Sequence, residues 1–348
     1  MDRWRTLPTC AYLVLVMSCV MPTTLRGAGH RIAGIEFFGH KGVETAVIRA
    51  ALPFHEGDEL SEGEEAKERV REAVLRSTGK PATDVAGVCC TSDGGLLVFI
   101  GIAGESYKAF AHGPAPTGRA RVSMELERLY ERLGDAMGAA VEKGGDAAAE
   151  DLSKGYALTR DPQMRSIQLE LRRYAIRHEP ELFRVLESSS DATHRAIASQ
   201  ALGYAQQSAK QLRALTQAAR DPVEEVRNNA TRAIWVLASA KDRLVRQIAP
   251  DVFIEMLNSG SWTDRNKGAL VLDRLTAKRD PAVLAKLRTV ALDSLIEMTL
   301  WREANHAYAA RMLLGRVAGI PEKELEELAW KGPPESIVEA LKKNASAL

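Results

Sequence analysis

The sequence predicts a multidomain protein in which a small α/β domain is followed by an all-α solenoid. Two observations lead to this prediction. The apolar pattern of the first third gives the order strand, helix, helix, strand, strand. Further along, SDATHRAIASQALGYA aligns with DPVEEVRNNATRAIWVLA, so that Ala198 matches Ala230, a shift of 32 residues from 198 to 230. Self-similarity at this period is typical of helical solenoids, whose units bury their apolar faces against neighbouring units.

Residues 1–28 have the layout of a secretory signal peptide. Arg3 and Arg5 precede the apolar run Ala11 to Val20, and small residues end the segment at Ala28. The run is too short to span about 30 Å of hydrocarbon. We therefore expect export to the periplasm or cell envelope, with cleavage near Ala28.

An alternative processing site lies inside the same segment. Val16, Met17 and Ser18 before Cys19 resemble a bacterial lipobox, and this resemblance implies a lipid on Cys19. We expect contact with a membrane only through such an anchor or through a membrane-protein partner.

The charge balance limits the classes of partner. The chain carries 47 Lys and Arg against 46 Asp and Glu, so it lacks the basic excess that would attract nucleic acid. A protein or peptide is the expected partner.

Two cysteines remain after the predicted signal, Cys89 and Cys90, so this is not a disulfide-built domain. Neighbouring side chains of a strand point to opposite faces, which makes a bond between them sterically poor. We expect one core thiol and one partly exposed thiol, with a strained redox pair as the alternative.

The first domain is predicted at residues 31–105. Alternating apolar residues predict strands, helical spacing predicts helices, and glycine or proline separates them. The elements are a strand in IAGIEFFGH, helices over Val43–Leu52 and Ser61–Thr78, and strands over Asp84–Cys90 and Leu96–Ala103.

This order, with FFGHKGVE, LPFHEGDELSEGE and LLVFIGIAGE, resembles the POTRA family of envelope domains. Gly39, Gly57 and Glu105 fall where that family keeps its glycines and final acid. The resemblance implies a partner-binding module that offers a sheet edge to an incoming strand. The alternative is a small capping domain without a ligand.

Residues 106–118 contain glycine and proline in a pattern that continues neither a strand nor a helix, and we predict a linker there. A helical bridge follows at 119–160, and the solenoid with its C-terminal cap is predicted over 161–348. Asp161 with Pro162, and Asp280 with Pro281, are typical helix starts.

Within the solenoid, DPVEEVRNNATRAIWVLA resembles the HEAT repeat family. Asp221, Val226, Arg227, Ala230 and Ala233 carry the resemblance, which covers residues 165–319. It implies the fold, whereas the function stays open, because HEAT arrays serve as scaffolds, adaptors and occasionally enzyme frames.

A candidate binding site follows from the spacing inside the repeats. Asn228, Asn266 and Asn305 recur on successive second helices, and Trp262 lies four residues before Asn266, as Trp301 lies before Asn305. Residues four apart share a helix face. We predict that these five residues, with Arg265 nearby, bind an extended peptide. The alternative is that the polar groups close hydrogen bonds between repeats and the tryptophans are core.

An enzyme finds little support in the sequence. It contains no HExxH, Walker or GxSxG motif and no pair of cysteines at metal spacing. We therefore expect no catalysis, no cofactor and no metal. The alternative is a lyase or hydrolase on the helical frame, which a cluster of titratable groups around His306 and Arg265 would favour.

Overall fold

The computed structural model describes residues 30–60, 63–89, 91, 94–143, 149–240 and 242–345. The predicted signal peptide, its Cys19, and Cys90 lie outside these residues. The described chain divides into two compact units. The middle unit comprises Ala111–Ala249, and the sheet unit combines residues of Arg26–Phe110 with residues of Pro250–Leu348.

The first part of the sheet unit has the predicted order of strands and helices, with one short strand added. A glycine in the left-handed conformation, Gly79, ends the second helix. The elements are β1 (His30–Phe38), α1 (Thr45–Ala51), β2 (Glu59–Leu60), α2 (Glu64–Thr78), β3 (Asp84–Cys89) and β4 (Leu96–Gly101).

These strands form one mixed sheet in the order β2-β1-β4-β3. β1 is parallel to β4, with Phe38 opposite Gly101, and β3 is antiparallel to β4, with Asp84 opposite Gly101. β2 pairs only with the first two residues of β1. Among the described residues, no strand covers most of the outer side of β1 or the outer side of β3.

The described residues of the middle unit are mainly helical and include one two-residue β-ladder. Helix α4 begins as predicted, because the Asp161 side chain accepts the main-chain N–H of Met164 and Pro162 occupies the first turn. The elements are α3 (Met124–Glu142), β5 (Glu150–Asp151), β6 (Leu158–Thr159), α4 (Pro162–Arg177), α5 (Glu179–Ser188), α6 (Ala192–Leu202), α7 (Ala209–Ala218), α8 (Glu224–Ala240) and α9 (Asp242–Val245).

The remaining helices return to the sheet unit. Asp280 caps α12 as predicted, accepting the N–H groups of Ala282 and Val283. The helices are α10 (Asp251–Met256), α11 (Trp262–Leu275), α12 (Pro281–Val290), α13 (Leu292–Thr299), α14 (Ala304–Val317), α15 (Glu322–Lys331) and α16 (Glu335–Ala345). The predicted combination of a small α/β part with a large helical part is confirmed at this level.

The sheet is covered on both faces. Val85, Val98 and Ile100 point to the face that packs against α1 and α2. Phe38 and Phe99 alternate with them and point to the opposite face, where side chains of 262–306 cover them. The sheet therefore forms the central layer of its unit.

This arrangement differs from the predicted domain scheme, which kept 31–105 apart from one array over 161–348. Residues 250–345 pack with the sheet, and the predicted linker is anchored to them, because Lys108 N donates to Asn258 O over 2.9 Å. The physical reason lies in β4, whose six residues LLVFIG are all buried. A strand that is apolar at every position needs a cover on both sides.

Candidate functional site

The six predicted binding residues do not line an open surface together. Asn228 belongs to the middle unit, and the other five belong to the sheet unit. Asn228, Asn266, Trp262, Trp301 and Arg265 are buried, each with 3% exposure or less. Asn305 is half-buried. This burial is what the structural alternative expects for five of the six side chains.

The two tryptophans pack against the sheet. The ring of Trp262 lies 5.1 Å from that of Phe99, and the ring of Trp301 lies 4.9 Å from it in an edge-on arrangement. Such pairs stabilise by about 0.5–1.5 kcal/mol beyond the burial of their area. The tryptophans therefore fix the helices of 250–345 to β4.

Only one of the two tryptophan–asparagine pairs shares a helix face as predicted. Trp262 and Asn266 both lie on α11. Trp301 lies between α13 and α14, because α14 begins at Ala304, so the prediction of a shared face with Asn305 is wrong. Outside a helix, Trp301 can direct its indole Nε1 to the main-chain oxygen of Phe37.

Arg265 takes part in a buried polar cluster at the end of β1. Its Nε donates to Ser259 O over 2.7 Å, and its Nη1 lies 3.5 Å from an oxygen of Glu297. Burial lowers the pKa of Arg265 to about 10, and the Glu297 carboxylate opposes that shift. Arg265 is therefore a structural cation in this unit.

Glu297 of α13 holds the chain that leaves β1. Its two oxygens accept the main-chain N–H groups of Gly39 and Lys41 at 2.8 and 2.9 Å. The hydroxyl of Ser106 donates to the same carboxylate. Three hydrogen-bond donors and the nearby Arg265 cation thus surround one buried carboxylate and join β1, the segment after β4, α11 and α13.

Side chains also occupy the outer edge of β1. Ile35 N donates to Glu56 over 3.1 Å, Ile35 O accepts from Arg49 over 2.9 Å, and Phe37 O accepts from Trp301 over 3.2 Å. Hydrogen bonding to Arg302 lowers the pKa of Glu56 to about 2. Side chains of the same unit take the positions that a neighbouring strand would use.

The edge of β3 is different. The main-chain N–H of Ile102 donates to Phe38 O, so the backbone N–H and C=O groups of Val98, Ile100 and Ile102 on β4 point toward β1. The backbone groups of Leu97, Phe99 and Gly101 therefore point toward β3.

The opposite residues on β3 therefore bond to β4, and the backbone N–H and C=O of Val85 and Gly87 point outward. Within the described residues no group bonds to these outward positions. Gly87 is exposed and has no side chain. The middle of β3 is thus the open edge of the sheet.

A groove of about 400 Å³ lies between β1, α1 and α13. Phe37, Ile296, Leu300 and Trp301 form its apolar lining. Charged side chains of all three elements surround the groove, together with Lys41 of the loop after β1. Sequence reasoning did not find this groove, because its lining comes from segments more than 250 positions apart, such as Phe37 and Trp301.

His306 lies in the sheet unit beneath β4. Its ring centroid is 5.7 Å from those of Phe99 and Trp262, and neither ring nitrogen has a hydrogen-bond partner within the described residues. Burial, with a smaller contribution from Lys267, lowers its pKa to about 4. A neutral histidine that lies among aromatic rings and makes no hydrogen bond to the described residues is not arranged as a general base.

The described residues contain no group of three or more His, Cys, Asp or Glu side chains placed to hold a metal ion. None of their helices combines the length and apolar character needed to cross a bilayer.

Cys89 is disulfide-bonded, so the expectation of two thiols is wrong for this residue. The other cysteines of the chain lie outside the described residues.

The sequence was compared with protein-family models and with curated proteins, and neither comparison found a match.

Proposed function

We propose that this chain is an exported, non-catalytic scaffold or adaptor of the cell envelope that binds a protein or extended peptide. In this proposal, the sheet acts as a POTRA-like module and the helices act as a HEAT-like solenoid. The near-neutral charge favours a protein partner over nucleic acid. Membrane contact would come through a lipid on Cys19 or through a membrane-protein partner.

The open edge of β3 supports this proposal most directly. Val85 and Gly87 present outward donors and acceptors, and the edge has no Lys or Pro to repel an added strand. The β1 edge, by contrast, is occupied by Glu56, Arg49 and Trp301. Strand addition therefore takes place at β3, and not at the segment from Ile32 to Phe38.

The buried residues of the predicted binding set contribute to this function indirectly. Trp262 and Trp301 hold the sheet against the helices, and the main-chain N–H of Trp262 bonds the Asp84 carboxylate at the start of β3 over 2.8 Å. The helices thereby fix one end of the strand that receives the partner. The second mode of this proposal is binding of an extended peptide in a groove of the helices, and Asn305 is the one of the six predicted binding residues that is not buried.

The test uses proline at Gly87. The outward N–H of Gly87 is not part of the β3–β4 ladder, so Gly87→Pro removes a donor for the partner and none for β4. Gly87→Ala keeps the donor and is the matched control. A photo-crosslinking residue at exposed Lys80, which precedes β3, would report the partner in the native host.

We expect one discrete protein adduct in the wild type and in Gly87→Ala, and its loss in Gly87→Pro at an unchanged melting temperature. An adduct that persists in Gly87→Pro would remove β3 as the binding edge. No adduct in any background would contradict the proposed protein-binding role of the sheet.

A further inference from the structure

The groove between β1, α1 and α13 contains a main-chain donor that has no partner in the part of the chain that the structure describes. Phe37 O accepts the Trp301 indole, so the N–H of Phe37 points to the same outer side of the strand. Within the described residues this N–H has no acceptor. Phe37 is only 6% exposed and lines the groove. Buried main-chain donors in native proteins nearly always have a partner, so this one calls for an acceptor from outside the chain.

The neighbouring positions along β1 are already occupied. Ile35 N donates to Glu56, and Gly39 N donates to Glu297. A full strand would have to displace both carboxylates, whereas one acceptor oxygen at Phe37 displaces nothing. The groove thus fits a single residue of a ligand better than a continuous strand.

The charges around the groove are paired with one another. Lys41 lies 2.8 Å from Asp293, Arg49 lies 2.9 Å from Glu56, and Glu36 pairs with Arg302 over 3.1 Å. The remaining acid, Glu297, faces Arg265 and two main-chain donors. An ionic ligand would therefore break an existing pair, and an uncharged ligand would not.

The apolar lining supplies the rest of the specificity. Leu300 is 40% exposed at the surface of the groove, and Ile296 and the rings of Phe37 and Trp301 lie beside it. A volume of about 400 Å³ is enough for one large apolar side chain together with its main-chain atoms.

We propose that this groove binds one uncharged apolar residue of a partner's peptide segment, whose main-chain carbonyl accepts the N–H of Phe37 and whose side chain packs on Leu300 and Trp301. The site is separate from the β3 edge. This proposal rests on the proposed protein-binding role only for the source of the peptide.

The experiment uses the full chain, labelled with nitrogen-15, and a blocked tripeptide, acetyl-Ala-Leu-Ala-amide. Titration is followed through the amide resonance of Phe37. Two matched peptides carry Asp or Lys in place of Leu. We expect the Phe37 resonance to shift and saturate with the Leu peptide, and the Asp and Lys peptides to bind at least tenfold more weakly.

Leu300→Glu tests the apolar contact at an exposed position, where folding is preserved. It should weaken the Leu peptide at least tenfold. Val290→Glu is the matched control, because Val290 is 45% exposed but does not line the groove, and it should bind as the wild type does.

A Phe37 resonance that does not move, or that moves equally with all three peptides, would overturn the proposal. Equal binding by Leu300→Glu and Val290→Glu would do the same. Because none of these peptides needs the β3 edge, such a failure would leave the crosslinking result at Lys80 intact, and the two proposals can fail separately.

Discussion

Trp301 donates its indole N–H to the main-chain oxygen of Phe37 over 3.2 Å, across a sequence separation of 264 residues. The bond lies on the outer edge of β1, where a neighbouring strand would otherwise supply the donor. A side chain from the last third of the protein thus completes the first strand. The same contact places the ring of Trp301 against Phe99 of the central strand.

We expect Trp301→Phe to lower the free energy of unfolding by about 2–4 kcal/mol, because it leaves a buried carbonyl without its donor and replaces a buried indole by a smaller phenyl ring. Differential scanning calorimetry of the full chain measures the effect. Trp330→Phe is the control, since Trp330 is half-buried and stacks on Tyr308 of α14. Equal losses in both variants would show that the bond to Phe37 contributes nothing specific.

Glu297→Gln should cost about 3–5 kcal/mol, because it leaves the buried Arg265 cation without its counter-charge and weakens the bonds to Gly39 and Lys41. Asp293→Asn, one turn earlier on α13, breaks only the exposed pair with Lys41 and should leave the denaturation midpoint nearly unchanged. Chemical denaturation at pH 7 compares the two. Similar midpoints would contradict the role assigned to the cluster.

The sheet unit should lose stability in acid through His306. Its folded-state pKa is lowered from 6.5 to about 4, so the folded state binds fewer protons than the unfolded state between these values. The stability contributed by the neutral ring is complete above pH 6.5 and falls as the pH drops toward 4, by on the order of 2–3 kcal/mol.

Melting curves of the wild type and of His306→Phe, recorded from pH 7 to pH 4, test this expectation. Phenylalanine keeps the ring contacts with Phe99 and Trp262 but does not titrate, so its curve should be flatter in this range. Parallel curves would exclude His306 as the source of the pH dependence.

The three asparagines separate the binding and structural interpretations. Asn228 and Asn266 are each 3% exposed, and we expect their replacement by Ala to lower stability by about 1–2 kcal/mol each, because a cavity remains. Asn305→Ala, at a half-buried position, should stay within about 0.5 kcal/mol. Three unchanged melting temperatures, together with lost binding, would instead favour direct binding of an extended peptide by the asparagines.

Local signals made much of the fold predictable. Asp161 and Asp280 are placed before proline, and both cap helices as their sequence pattern indicates. The spacing of the asparagines placed them on three corresponding helices, and the structure has α8, α11 and α14 there. Small and apolar residues recur at helical spacing in all three. These features depend on neighbours within one or two turns, which the sequence displays directly.

The division into units depends on long-range contacts and was not predicted. The apolar run LLVFIG of β4 does indicate a strand covered on both faces, but it does not say which helices provide the second cover. The candidate site has the same difficulty. A tryptophan or asparagine at regular spacing fits a groove and a core equally well, and only the position of Phe99 shows that Trp262 and Trp301 face the sheet.

The sheet unit is assembled from the two ends of the described chain, with the middle unit between them in sequence. During synthesis, β1 and β4 emerge well before α11 and α14, so one apolar face of the sheet has no cover until residues 250–345 have followed. Contacts of such long sequence separation slow folding and prolong the exposure of apolar surface and strand edges. The nascent chain therefore has a long interval in which Phe38 and Phe99 are accessible to chaperones, and a truncation before α11 would leave these two rings without their cover and the sheet prone to aggregation.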